Sequence, residues 1–356
     1  MEVSGIPVPR VPSPPISAPA SARDPLSFQA PPVPVGPKEG PMEEAIERFA
    51  GSIPNWATEI LWKAITTASR HVFPQLPAGA PVEQGDKNFR FAVIGDYGGG
   101  MKPLADVTGN LARRNPDMVI TTGDNVYYNG TEQEYRRKWD PPNMFGDIRR
   151  NFIVMPSLGN HDTRVDTKPY FDRFPELNGA RYYSFDKGGV HFVALNTNES
   201  LAPGSAQYDW LNSDLAASTS DWKVLYYHHP MFSGFPKQDS PLKTYLGPLI
   251  AKYGVDLIFA GHEHNYSRTK PLNDNGTIEV ISGDGGHTLH PYVEKAKPVF
   301  AYRDVEFGHV EVEVRNDELI GRYITRDGSV RDTFTVPNRT PGAAVTDAAV
   351  AARQVA

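Results

Sequence analysis

From residue 89 onward, short apolar runs alternate with amphipathic stretches. Residues 90–94 read as a strand, 104–114 as a helix and 117–121 as a second strand. Residues 132–150 follow as a helix broken at Pro141-Pro142, and 151–158 as a third strand. Strands that are apolar on both faces, alternating with helices, are the pattern of βαβ units around a buried sheet. The middle is hairpin-like: 181–185, a turn at Lys187-Gly188-Gly189, then 190–195. A helix over 206–217 leads into a strand over 223–227, and a helix over 242–253 into a strand over 255–260. The last runs, 277–281, 309–314, 318–325 and 330–336, read as antiparallel strands. Parallel units followed by antiparallel ones predict an α/β protein of two mixed sheets packed face to face, flanked by helices.

The flanking regions read differently. Residues 1–41 hold 12 prolines and one aromatic residue, Phe28, so they are expected to be a disordered tail. Residues 42–76 carry helical spacing in Ile60, Leu61, Ile65 and Val72, with a break near Pro54. The expected organisation is a Pro-rich tail (1–41), a helical extension (42–88), a catalytic domain (89–336) and a loose Ala-rich tail (337–356).

Composition narrows the chemistry. With 36 basic and 42 acidic side chains the net charge is −6, and no basic block tracks a nucleic-acid backbone, so no such partner is expected. Cysteine is absent, which leaves only nitrogen and oxygen donors for any metal. No secretory signal and no run of about 18 apolar residues is present, so a soluble protein of unassigned compartment is expected. The tail is a candidate handle for partners that bind polyproline segments.

Five motifs then stand out, each after an apolar run. They are Gly95-Asp96-Tyr97-Gly98, Gly123-Asp124-Asn125-Val126-Tyr127, Gly159-Asn160-His161-Asp162, His228-His229-Pro230 and Gly261-His262-Glu263-His264. Any one alone is a common turn or helix cap. Together they place carboxylate, amide, phenol and imidazole groups where α/β sheets gather ligands, beyond the carboxyl ends of strands. The set suffices for two metal ions, a device suited to phosphate ester hydrolysis.

From about Phe89 to Ile324 the chain resembles the calcineurin-like metallophosphoesterases, and within them the purple acid phosphatases of single-domain type. The wider superfamily opens with Asp-x-His, and here the histidine position is Gly98. Tyr127, in Gly-Asp-x-x-Tyr, is the mark of the purple subset. The resemblance implies a four-layer α/β/β/α sandwich of metallophosphoesterase type. It also implies Asp96, Asp124, Tyr127 and His264 on a first metal, Fe(III), whose phenolate charge transfer gives the colour. Asp124, Asn160, His228 and His262 would hold a second ion, Fe(II), Zn or Mn, with Asp124 bridging; His229 is the alternative to His228. The implied reaction is hydrolysis of phosphomonoesters or phosphoanhydrides by direct attack of a metal-bound hydroxide. Small phosphorylated molecules or phosphoproteins would be the substrates, and a phosphodiesterase is the alternative. His161 would bind the phosphate or protonate the leaving group, and Asp162 would orient His161 or cap a turn.

One departure stands out. Relatives have another histidine in the loop after His-x-Pro, and none occurs between Met231 and Leu249. Spacing puts Lys237 near that place as a candidate substrate-binding residue. Ser282-Gly283-Asp284-Gly285-Gly286-His287 resembles the family's glycine-rich stretch and is expected to shape the site wall.

Overall fold

The computed structural model describes residues 88–100, 102–234, 240–292 and 298–338. The tails, the helical stretch expected over 42–76 and Lys237 lie outside the described residues.

In chain order the strands are β1 (Phe89–Ile94), β2 (Met118–Thr121), β3 (Val154–Pro156), β4 (Tyr183–Lys187), β5 (Val190–Ala194), β6 (Trp222–Tyr226), β7 (Leu257–Ala260), β8 (Tyr266–Thr269), β9 (Ile278–Ser282), β10 (Phe300–Asp304), β11 (Gly308–Val314), β12 (Glu318–Thr325) and β13 (Val330–Pro337). The longer helices are α1 (Lys102–Arg114), α2 (Phe145–Asn151), α3 (Lys168–Arg173), α4 (Ala206–Ala217) and α5 (Leu242–Tyr253). One sheet runs β13-β12-β11-β1-β2-β3, the other β10-β8-β9-β7-β6-β5-β4. Strands β1, β2 and β3 are mutually parallel, as are β5, β6, β7 and β9.

The period-2 alternation of strands decides the layers. Val190, Phe192 and Ala194 of β5, Val224 of β6 and Leu257 and Phe259 of β7 join the apolar core between the sheets. There the Phe91 ring of β1 meets Phe192 edge-on at 5.2 Å and Phe259 at 6.1 Å. The alternate residues Val193, Leu225, Ile258 and Ala260 form a second apolar cluster with Leu211 and Leu215 of α4 and Leu246, Leu249 and Ile250 of α5. On the first sheet, α1 lies against β11 and α2 and buries Leu104, Val107 and Leu111. Two sheets face to face with helices outside make the four-layer α/β/β/α sandwich.

Details differ from the sequence pattern. The helix expected over 132–150 divides into a short helix, Glu132–Glu134, a π-helical turn, Tyr135–Trp139, and α2. The third strand is confined to Val154–Pro156 because α2 runs to Asn151. Strands β8 and β10 were not anticipated: buried Arg268 of β8 pairs with Asp332 at 2.6 Å, so a core position carries a charge. Strand β9, read as antiparallel, is parallel to β7 and antiparallel only to β8.

Candidate metal centre

Each of the five motifs lies just past a strand, and the two sheets bring their carboxyl ends together. Asp96 follows β1, Asp124 follows β2 and Asn160 and His161 follow β3; His228 follows β6 and His262 and His264 follow β7. The turns are tight. Asp96, Asp124 and His262 adopt φ of 53°, 52° and 68°, a left-handed backbone that side chains rarely take and that concentrates at functional sites. A Cβ on Gly159 would lie 2.1 Å from Asp124 Oδ1, so only glycine lets the third-strand loop reach that carboxylate.

The donor atoms form two clusters. In the first, the Tyr127 hydroxyl lies 3.1 Å from Asp96 Oδ1 and 3.0 Å from His264 Nε2, and those two atoms are 3.4 Å apart. In the second, His228 Nε2 lies 2.8 Å from Asn160 Oδ1, 3.3 Å from His262 Nδ1 and 3.4 Å from Asp124 Oδ2. Asp124 stands between them, near enough to the phenol of Tyr127 to oppose its ionisation. Ligand atoms about 2 Å from one small cation sit about 3 Å from each other, so both clusters have the spacing of a coordination shell.

The electrostatics fit a cation as well. Asp96 and Asp124 are fully buried, and imidazoles are the cationic groups placed beside their carboxylates, at 3.4–3.8 Å. Burial acts to raise the Asp124 carboxyl, but His228 and His161 beside it hold it well below the usual range. Burial, then Asp124 and Asp96, push the Tyr127 phenol well above its ordinary value. His228 is carried up to about 9: burial opposes this, but Asp124 outweighs it. His262 is driven well down by burial and by His229 and His228. Buried anions of this kind are stable when paired with cations or metal ions. The outer nitrogens of His228 and His264 point to main-chain carbonyls, Thr122 O at 2.9 Å and Thr288 O at 2.6 Å, which turns a lone pair inward.

His161 is buried at the edge of the centre, Nδ1 2.7 Å from Tyr128 O and Nε2 3.8 Å from Asp124 Oδ2. Asp162 faces elsewhere. Its carboxylate accepts the main-chain N–H groups of Gly159 and Asn125 at 2.8 and 3.0 Å and the Asn125 amide at 2.8 Å. It staples the loops after β2 and β3 together, which positions Asp124 and Asn160. Three neighbours complete the surroundings, and of these the sequence marks only His287, at the end of the glycine-rich stretch expected to shape the site wall. The His287 ring stacks on Tyr127 at 3.9 Å, His290 stacks on His264 at 4.0 Å, and Lys138 Nζ donates to Tyr127 O at 2.5 Å. Glu263, between the two histidines of its motif, accepts Gly234 N–H at 2.9 Å and so ties the β7 loop to the one that leads to residue 235.

Buried acids around the centre set a pH dependence. Glu279 accepts the N–H groups of Met231 and Phe232 at 2.8 and 3.0 Å, anchoring the loop after His228, and burial pushes it up to about 7. Burial likewise pushes Asp284 up to about 7 and Asp162 up to about 6. A carboxyl raised by folding keeps a proton that the unfolded chain has released. Its ionisation penalty therefore grows as pH rises from the ordinary carboxylate range through the folded value. His228, carried up to about 9, acts in the same direction above the ordinary imidazole value, whereas His262, His287 and His309, driven down by burial, oppose it below that value. Metal-free protein is therefore expected to gain stability between pH 8 and pH 6.5, by about 1.4 kcal/mol per pH unit for each group within its window. A thermal unfolding midpoint about 5 °C higher at pH 6.5 than at pH 8 is the expected result; a flat or reversed trend contradicts it.

Residues 89–266, half of the chain, match the calcineurin-like phosphoesterase family. Purple acid phosphatase 15 of Arabidopsis thaliana is 28% identical over 268 residues, covering 64% of this chain and 50% of that protein. Acid phosphatase type 7 of Mus musculus is 27% identical over 272 residues, covering 64% of this chain and 62% of that protein. The structure of purple acid phosphatase PPD1 from yellow lupin (Lupinus luteus) seeds aligns with a TM-score of 0.61 at 21% identity, over 72% of this chain and 55% of that one. The chain thus spans about half the length of the first of these relatives. Among the described residues no helix is long and apolar enough to cross a membrane. With its sandwich fold and half its length matched, this chain belongs to the calcineurin-like phosphoesterase family, on the side of it similar to the purple acid phosphatases.

Proposed function

We propose that the protein is a metal-dependent phosphatase that transfers the phosphoryl group of phosphomonoesters or phosphoanhydrides directly to water. The observation that carries this reading is the pair of donor clusters sharing Asp124. Asp96, Asp124, Tyr127 and His264 would hold one ion; two carboxylates and a phenol are hard, anionic donors that suit Fe(III). Asp124, Asn160, His228 and His262 would hold the other, and their imidazole and amide donors suit Fe(II), Zn or Mn. When bound, the ions supply Lewis acidity to the phosphoryl oxygens and to the attacking water.

The chain's own groups do the rest. The carbonyls of Thr122 and Thr288 fix the rings of His228 and His264, so these ligands need no reorganisation. His161, its Nδ1 held by Tyr128 O, presents Nε2 at the edge of the centre. In its protonated form it would donate there to a phosphoryl oxygen or to the leaving oxygen, a contribution of about 10²–10⁴-fold.

The test is the visible spectrum of the purified protein beside Tyr127→Phe, with rates on p-nitrophenyl phosphate and bis(p-nitrophenyl) phosphate. The expected result is a broad visible band that vanishes in Tyr127→Phe, and faster hydrolysis of the monoester. A colourless protein holding two equivalents of zinc or manganese would sink the Fe(III) assignment. Faster diester hydrolysis would make the protein a phosphodiesterase.

A further inference from the structure

Three imidazoles around the centre share one orientation. Nδ1 of His161, His228 and His264 each lies against a main-chain carbonyl, at 2.7, 2.9 and 2.6 Å. A carbonyl only accepts, so Nδ1 carries the hydrogen and Nε2 turns a lone pair inward. His229 breaks this pattern. Its Nδ1 lies 2.8 Å from the Thr197 hydroxyl, and that same oxygen accepts the His229 main-chain N–H at 3.0 Å. Of the two groups that meet this hydroxyl, the main-chain N–H can only donate, so Nδ1 is the one that can take the hydroxyl hydrogen, and the pair is satisfied when Thr197 donates to it. The ring hydrogen then sits on Nε2.

The location gives this tautomer a use. His229 is only 7% exposed, and its ring lies 4.5 Å from that of His262 and 4.9 Å from that of His228. One of its ring nitrogens is within 4.8 Å of ring nitrogens of both. A nitrogen bearing hydrogen is no metal ligand, but it is a donor to an anion, and a buried donor beside a cation site suits a phosphoryl oxygen.

We propose that His229 is a substrate-binding residue whose Nε2–H donates to a phosphoryl oxygen at the second cluster, with Thr197 fixing the tautomer. This rests on the phosphatase reading above. It assigns a hydrogen-bond donor beside His228 and His262, in addition to His161.

The experiment measures inorganic phosphate affinity by calorimetry and metal content by elemental analysis, on the full chain loaded with metal. It compares the native protein with His229→Ala, His229→Gln and Thr197→Val, with KM and kcat recorded alongside. His229→Ala is expected to keep both metal equivalents, weaken phosphate about tenfold and raise KM by a similar factor while kcat changes less. His229→Gln, whose amide N–H falls near the Nε2 position, should recover most of the affinity, and Thr197→Val should lose about threefold. Loss of one metal equivalent in His229→Ala would make His229 a ligand and overturn the proposal. Unchanged phosphate affinity in His229→Ala and Thr197→Val would also overturn it, as would the absence of phosphate binding by the native protein. A native protein that binds metal and phosphate but hydrolyses no ester would sink the phosphatase reading alone, and the affinity ratios would still decide the role of His229.

Discussion

Asp124→Asn is expected to keep the fold and lose the centre. Asp124 Oδ1 accepts the His161 main-chain N–H at 2.9 Å, and an asparagine carbonyl can take over that bond. The other oxygen, 3.4 Å from His228 Nε2, would become an amide nitrogen that donates and cannot bridge two cations. In the metal-free protein the change also takes from buried His228 and His161 the carboxylate that pairs with them, so the unfolding midpoint should fall without loss of the cooperative transition. Metal content should drop by at least one equivalent, and phosphate release by about 10³-fold or more, since several kcal/mol of charge stabilisation goes with the ions. Elemental analysis and phosphate release check this together. Two retained equivalents with hydrolysis within tenfold of the native rate would show that Asp124 is not shared between the clusters.

The centre was legible because its donors are local to strand ends. Asp96, Asp124, Asn160, His228 and His262 each follow an apolar run by a few residues, so the sequence places them on one edge without knowledge of packing. What surrounds them is tertiary. His287 reaches Tyr127 because the loop after β9 passes the loop after β2, and Lys138 does so from a π-helical turn. Asp162, adjacent to His161 in sequence, turned out to serve the backbone of two loops and not that imidazole. The sheets were legible where strands are continuously apolar, as in β1 and β7. They were not where a buried strand carries charge, as Arg268 does in β8. Nor does an apolar run state its direction, which is why β9 was misread.

Gly98 is where the absent histidine of the wider superfamily and the presence of Tyr127 meet in one constraint. A Cβ there would lie 2.2 Å from Val126 Cα, 2.4 Å from Val126 N and 2.6 Å from Asn125 C. All three are main-chain atoms, so no rotamer change relieves the clash. The same approach lets Gly98 N donate to Asp124 O at 3.3 Å and Gly98 O accept Tyr127 N–H at 3.1 Å. Those two bonds hold the loop after β2 against the loop after β1, and so carry Tyr127 to Asp96. A side chain at 98 and a phenol at 127 therefore compete for one arrangement of the loops. Gly98→Ala is expected to push residues 124–127 outward and cost about 3 kcal/mol or more, which lowers the unfolding midpoint by about 6 °C or more. The visible band should weaken with it, because Tyr127 moves. Gly98→His combined with Tyr127→Phe should fare worse still and recover no metal. Gly247→Ala is the control: beyond its own helix nothing lies within 4 Å of the added Cβ, and the gain of about 0.5–1 kcal/mol from replacing a helical glycine is offset by crowding of that Cβ against Pro248, so the midpoint should barely move. A Gly98→Ala protein that melts within about 2 °C of the native one, with both metals bound, would show that the two loops are not locked and that Tyr127 reaches Asp96 for another reason.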